Sequence, residues 1–245
     1  MIRRAFVLLL LVPVAVRAAS PPPTLQDLEG IWAPDQALKT VLEKRSPHAT
    51  LVETVAIHGG RLDWGNGHEA TWRRIVRIET AQGGDAVLVT GPWEDASPKA
   101  ADLQRVPIRV ERDAAGYVKT LRFLDDAIAQ TPREPWSQLA EPVATLINRR
   151  LLAGSYRDAQ GRTWTFSPEG QAAWPGQSFT YEVSLDDSEA DCDYIFFEKK
   201  GEVGGYRRYG FRWQGETLRI YEIAYPDDAA PIHCTKVLAE LKRKK

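Results

Sequence analysis

Residues 151–185, LLAGSYRDAQGRTWTFSPEGQAAWPGQSFTYEVSL, constrain the fold of this chain more than any other stretch. Phe179, Tyr181, Val183 and Leu185 alternate with Thr180, Glu182, Ser184 and Asp186. That is the pattern of a strand whose side chains face a core and water in turn. Trp164 and Phe166 alternate with Thr163 and Thr165 one strand earlier. Between these runs stand Asp158-Ala-Gln-Gly161, Pro168-Glu-Gly170 and Pro175-Gly176. These are turn sequences, because Gly supplies positive φ and Pro presets a turn's first corner. Short strands punctuated in this way predict an antiparallel barrel or sandwich.

The same texture fills most of the chain. Strand-like runs cover residues 72–78, 86–89, 106–110 and 117–123 upstream, and 192–198, 206–213 and 218–224 downstream. Gly59-Gly60, Gly65-Asn-Gly67, Gln82-Gly-Gly84 and Ala114-Ala-Gly116 supply turns between several of the upstream runs. Pro107 cannot donate a ladder hydrogen bond, which predicts an edge strand there. Two segments break the β pattern. Leu38, Val41 and Leu42 have helical spacing after Asp35, a good N-cap, and Pro47 closes that helix. Trp136, Leu139, Val143, Leu146, Ile147 and Leu151 form one stripe, predicting a connecting helix over 135–151 with a kink at Pro142. A short strand or turn is expected at Cys234, followed by a frayed lysine-rich tail.

The first residues have a different character. Arg3 and Arg4 precede an apolar run over residues 5–16, and Val16-Arg-Ala18 offers a small-residue cleavage site. This pattern predicts a secretory signal peptide over residues 1–18, too short to span a bilayer as a stable anchor. Its removal takes away Arg3, Arg4 and Arg17 and moves the formal charge from −1 to −4. So little net charge argues against nucleic-acid binding. Cys192 and Cys234 are the two cysteines, and in an exported protein they predict one disulfide. On the chain-entropy model a loop of that length is stabilised by roughly 4 kcal/mol. The expected division is therefore a β unit with one short helix over 19–134, the helix over 135–151, and a disulfide-bonded β-barrel unit over 152–245.

Catalytic patterns are sparse. His48, His58, His68 and His233 form neither H-x-H nor H-x-x-x-H, and no G-x-S-x-G elbow occurs. Asp187, Glu189, Asp191 and Glu198 imitate the spacing of a calcium loop, but Cys192 stands where its sharp turn needs Gly. No metal or cofactor is expected, and the chain reads as a non-enzymatic protein. The acidic stretch with Asp186, Asp187, Glu189 and Asp191 is instead a candidate surface for a basic partner, together with Trp174 and Arg208. Trp32, Trp164, Phe166, Tyr181, Phe211 and Trp213 are the candidate lining of a ligand cavity if either barrel is hollow. Elsewhere, strand tryptophans such as Trp64 and Trp72 are expected in the core.

Gly30-Ile-Trp32 and Gly154-Ser-Tyr156 each open a run of strands. This resembles the lipocalin and calycin pattern, whose first strand carries G-x-W and whose barrel is followed by a packed helix. The second unit departs from it with Tyr in place of Trp, and the first carries a helix directly after its opening strand. The resemblance implies a mostly β protein of two consecutive antiparallel meander barrels joined by a helix. It also implies an arginine from a late strand over the opening aromatic, for which Arg122 and Arg219 are candidates. The resulting expectation is an exported binding protein acting on another protein in the bacterial periplasm, as an inhibitor or immunity protein would. A carrier of a small apolar ligand is the alternative, and a hydrolase with an unrecognised site the second alternative.

Overall fold

The structure, a computed structural model, describes residues 21–65, 70–81, 85–125, 134–185, 191–198, 207–224 and 233–244. The expected signal peptide, the turn residues 66, 67 and 82–84, His68, and Asp186, Asp187 and Glu189 lie outside the described residues.

Two closed eight-stranded antiparallel barrels follow one another along the chain. The first contains β1 (Gly30–Pro34), β2 (Thr54–His58), β3 (Arg61–Gly65), β4 (Ala70–Thr80), β5 (Ala86–Pro92), β6 (Gln104–Arg112), β7 (Val118–Phe123) and β8 (Trp136–Leu139). The second contains β9 (Gly154–Arg157), β10 (Thr163–Phe166), β11 (Gln171–Trp174), β12 (Gln177–Val183), β13 (Asp193–Glu198), β14 (Arg207–Gln214), β15 (Thr217–Ala224) and β16 (His233–Arg243). Each barrel is a meander in which every strand pairs with its sequence neighbours and the last strand returns to the first. Closure leaves no free edge for another chain to extend.

Three expectations are corrected here. Trp136–Leu139 is strand β8, paired with β1 from Ile31↔Leu139 to Pro34↔Trp136 and with β7 at Thr120↔Ser137. The helix α3 begins only at Val143 (Val143–Ile147), with Pro142 as its N-cap, and runs into a π-helical turn over Asn148–Leu152. Pro cannot sit inside such a helix without losing a hydrogen bond, so it starts the helix instead of kinking it. Pro107 lies in β6 between β5 and β7, not on an edge. Its carbonyl accepts from the Leu124 amide just beyond β7. The absent N–H therefore points past the end of that strand, because both backbone groups of an antiparallel residue face the same neighbour. Through Arg243 the tail expected to fray is the end of strand β16, held by Lys242↔Arg157 and Arg243↔Tyr156.

The two barrels are built around equivalent opening strands. Gly30 and Gly154 have φ of 135° and 153°, a region that side chains rarely adopt. Two residues further on, the Trp32 Nε1 donates to the Leu28 carbonyl (2.9 Å) and the Tyr156 hydroxyl to the Leu152 carbonyl (2.6 Å). A residue of the last strand covers each glycine. Gln138 donates to the Glu29 carbonyl in the first barrel, and Arg243 to the Ala153 carbonyl in the second. The Arg243 guanidinium also lies 5.7 Å from the Tyr156 ring. Arg122 and Arg219 do not take that place, being paired with Glu111 and Glu240.

Helices close the barrel ends. Leu25 and Leu28 of α1 (Leu25–Leu28) belong to the core of the first barrel. The apolar face of α2 (Asp35–Lys44), with Leu38 and Val41, joins the core of the second barrel, beside Ile147, Leu151 and Leu152. A helix inserted in one barrel thus shields apolar surface of the other, which couples the two units.

Candidate functional site

The candidate cavity residues belong to, or pack against, the cores of the two barrels. Trp32 is fully buried among side chains of the first barrel. In the second barrel Trp164, Phe166, Tyr181 and Phe211 are buried, while Trp213 is half-buried beside Tyr156 and Arg45. Their rings pack against one another and against neighbouring rings. Phe166 meets Tyr181 at 5.5 Å, Trp164 meets Trp174 at 4.7 Å, and Phe197 stacks on Tyr209 at 4.6 Å. Such pairs add stability beyond the area they bury. Burial raises the pKa of Tyr181, whose hydroxyl donates to the Ser167 carbonyl (2.8 Å).

Trp174 is therefore corrected from partner-binding candidate to core residue, at 6% exposure. The hairpin turn is Pro175-Gly176, but strand alternation in β11 points Trp174 inward against Phe179 and Tyr209. Arg208 does stand on the outer face of β14, its guanidinium 4.9 Å from the Phe196 ring and 5.4 Å from Tyr194.

Asp191 and Asp193 flank Cys192 and face different partners: Asp191 is held within the second barrel, and Asp193 reaches across to the first. Cys192 and Cys234 form the expected disulfide, with a Cα–Cα distance of 6.1 Å. Asp191 accepts from the Cys234 amide (2.9 Å), pairs with Arg212, and lies 3.4 Å from the His233 ring. Burial alone would raise its pKa, but these three groups outweigh it and hold the carboxyl below its ordinary value. Asp193 faces the first barrel, where the Ser46 hydroxyl (2.8 Å) and the His48 amide (3.0 Å) donate to its Oδ1. Here burial dominates, and the Asp193 pKa is raised despite those donors. The His48 ring stands 3.9 Å from the same carboxylate and packs edge-on against Tyr194 at 5.0 Å. Ser46, His48 and Asp193 are catalytic residue types, but the serine hydroxyl is bonded to the aspartate instead of to the imidazole. This arrangement ties the two barrels together. Asp191, Cys192 and Cys234 also converge, yet both sulfurs are spent in the disulfide and offer no thiolate to a metal. His58 is exposed and lies 3.5 Å from Glu29.

A second surface was not expected from the sequence. Trp72 is on the outer face of β4, 44% exposed. The Arg61 guanidinium lies 5.4 Å from its ring and 5.5 Å from that of Trp93, while Arg74 lies 5.4 Å from Trp93. Asp63 pairs with Arg61, and Glu94 accepts from the Trp72 Nε1 at 3.4 Å. The signal was available in the register: Leu62 is buried, so Asp63 and its cross-strand partner Trp72 must face outward. Among the described residues no helix is long and apolar enough to cross a membrane. Compared with protein-family models, curated proteins and solved structures, the chain matches none.

Proposed function

We propose that this protein is an exported, non-enzymatic binding protein that docks another protein in the bacterial periplasm, as an inhibitor or immunity protein does. The observation that carries this reading is the outer face of the first barrel where exposed Trp72 stands beside half-buried Arg61, Trp93 and Arg74. Tryptophan and arginine are the residue types that dominate binding energy at protein interfaces. Here cation–π contacts and the Asp63 and Glu94 bonds hold them in place before any partner arrives, which lowers the entropy cost of docking. The opening Gly-x-aromatic strands, each roofed from the last strand, support kinship with the lipocalin and calycin barrels.

The test is retention of envelope proteins on the immobilised mature chain and on Trp72→Ala and Arg61→Ala variants. The reading expects a polypeptide held by the wild type and lost by both variants. Equal retention by all three, or none by any, removes it. The eight-stranded closed topology keeps a second reading in view, a carrier of a small apolar ligand. It requires the aromatic interior of the second barrel to open, so fatty acids at micromolar concentration should then quench tryptophan emission. A flat titration ends it.

A further inference from the structure

A groove of about 430 Å³ lies between α3 and the outer faces of β12 and β13. That volume is ordinary for a small-molecule site. Pro142 and Thr145 line it from the helix side, Glu182 and Phe196 from the strands, and Glu169 from the turn between β10 and β11. Both glutamates are exposed, and neither has a cationic partner among the described residues. Among the described residues the next cation in register is Arg208, which stands across Phe196 on β14. Asn148 also lines the groove and is 4% exposed. Its Nδ2 donates to the Pro168 carbonyl at 3.4 Å, while its Oδ1 is buried with no partner. A buried acceptor left in that state costs free energy until a donor reaches it.

We propose that this groove binds an organic cation, an alkyl ammonium or guanidinium. Its N–H groups reach Glu169, Glu182 and the Asn148 amide oxygen, and its carbon chain lies on Phe196 and Pro142. An ammonium carries three donors and no acceptor, which matches three acceptors beside an apolar wall. The same chemistry comes from a free polyamine or from a lysine or arginine side chain of a polypeptide. The site stands apart from the Trp72 face, so either proposal survives the failure of the other.

The experiment is an NMR titration of the full mature chain with cadaverine, spermidine and a blocked lysine tripeptide, with pentanol as the uncharged control. The proposal expects saturable shifts at the Asn148, Glu182 and Phe196 amides with the amines and none with pentanol. Glu182→Gln and Glu169→Gln, both on exposed positions that leave the fold intact by circular dichroism, should each weaken binding about tenfold, and added salt should do the same. Tighter binding of the tripeptide than of the free amines identifies a polypeptide source, and the reverse order a small-molecule one. No saturable shift at millimolar concentration, or undiminished affinity in both Gln variants, overturns the site.

Discussion

Gly210 lies directly beneath Cys234, so that a Cβ added to the glycine would collide with the cysteine Sγ. The Cys192 Sγ sits 2.9 Å from the same point. The disulfide thus crosses the outer face of the second barrel over the one residue of β14 that has no side chain to obstruct it.

Gly210→Ala is therefore expected to displace the disulfide or prevent its formation. Loss of a native disulfide typically costs about 2–5 kcal/mol. Thiol titration under denaturing conditions together with thermal unfolding checks this; a fully oxidised variant with unchanged Tm contradicts it.

Asp193 joins the barrels through the Ser46 hydroxyl and the His48 amide. Its folded pKa is raised, chiefly by burial. The stability it contributes is thus fully present below its unfolded pKa and is lost as pH rises through the folded value. Asp193→Asn keeps an acceptor and removes the buried charge, so it should be tolerated at pH 7 and should flatten the stability profile just above pH 4. Asp193→Ala strands both donors and should cost about 1–3 kcal/mol. Denaturant unfolding across pH 4–8 distinguishes the two.

At the other end of the chain Asp27 closes the capping box with Thr24 and pairs with Arg112 at 3.0 Å. The Arg112 bond, with the Thr24 amide, lowers its carboxyl from 3.8 to about 2. A depressed acid stabilises the fold above its unfolded pKa, and that contribution disappears as pH falls from 3.8 towards about 2. Arg112→Leu should remove this acid-sensitive component, worth about 1 kcal/mol once solvent screening is included. Unfolding midpoints at pH 6 and pH 3 should converge in the variant more than in the wild type.

The roofs over Gly30 and Gly154 predict paired effects. Gln138→Ala and Arg243→Ala each free the carbonyl that precedes a barrel's opening glycine, and each should cost about 1–2 kcal/mol. Arg243→Ala should cost more, because it also uncovers the Tyr156 ring. Equal unfolding midpoints for both variants and the wild type would show that neither roof contributes.

Local patterning made β12, α2 and the disulfide legible from the residues alone, because alternation, helical spacing and a lone cysteine pair are properties of short stretches. Trp136–Leu139 was not legible. Its apolar spacing continues the stripe of α3, and only pairing with β1, about a hundred residues away, makes it a strand. The strand β16 was hidden for a related reason: Ala239 and Leu241 are its buried apolar residues amid lysines and threonine. Trp72 needed the register of β3 and β4, and the Asp193 clasp needed the docking of one barrel on the other. Nothing in the order of residues brings Ser46 to Asp193. The acidic candidates Asp186, Asp187 and Glu189 lie outside the described residues, while Asp191, their neighbour, is bonded within the second barrel to Cys234 and Arg212.

The most direct measurement is native mass spectrometry of the mature protein recovered from its host's envelope, beside a Trp72→Ala variant recovered in the same way. The account predicts a co-purifying polypeptide with the wild type that is absent from the variant. An adduct of a few hundred daltons retained by both proteins, with no polypeptide partner, would contradict it and make the second barrel a carrier.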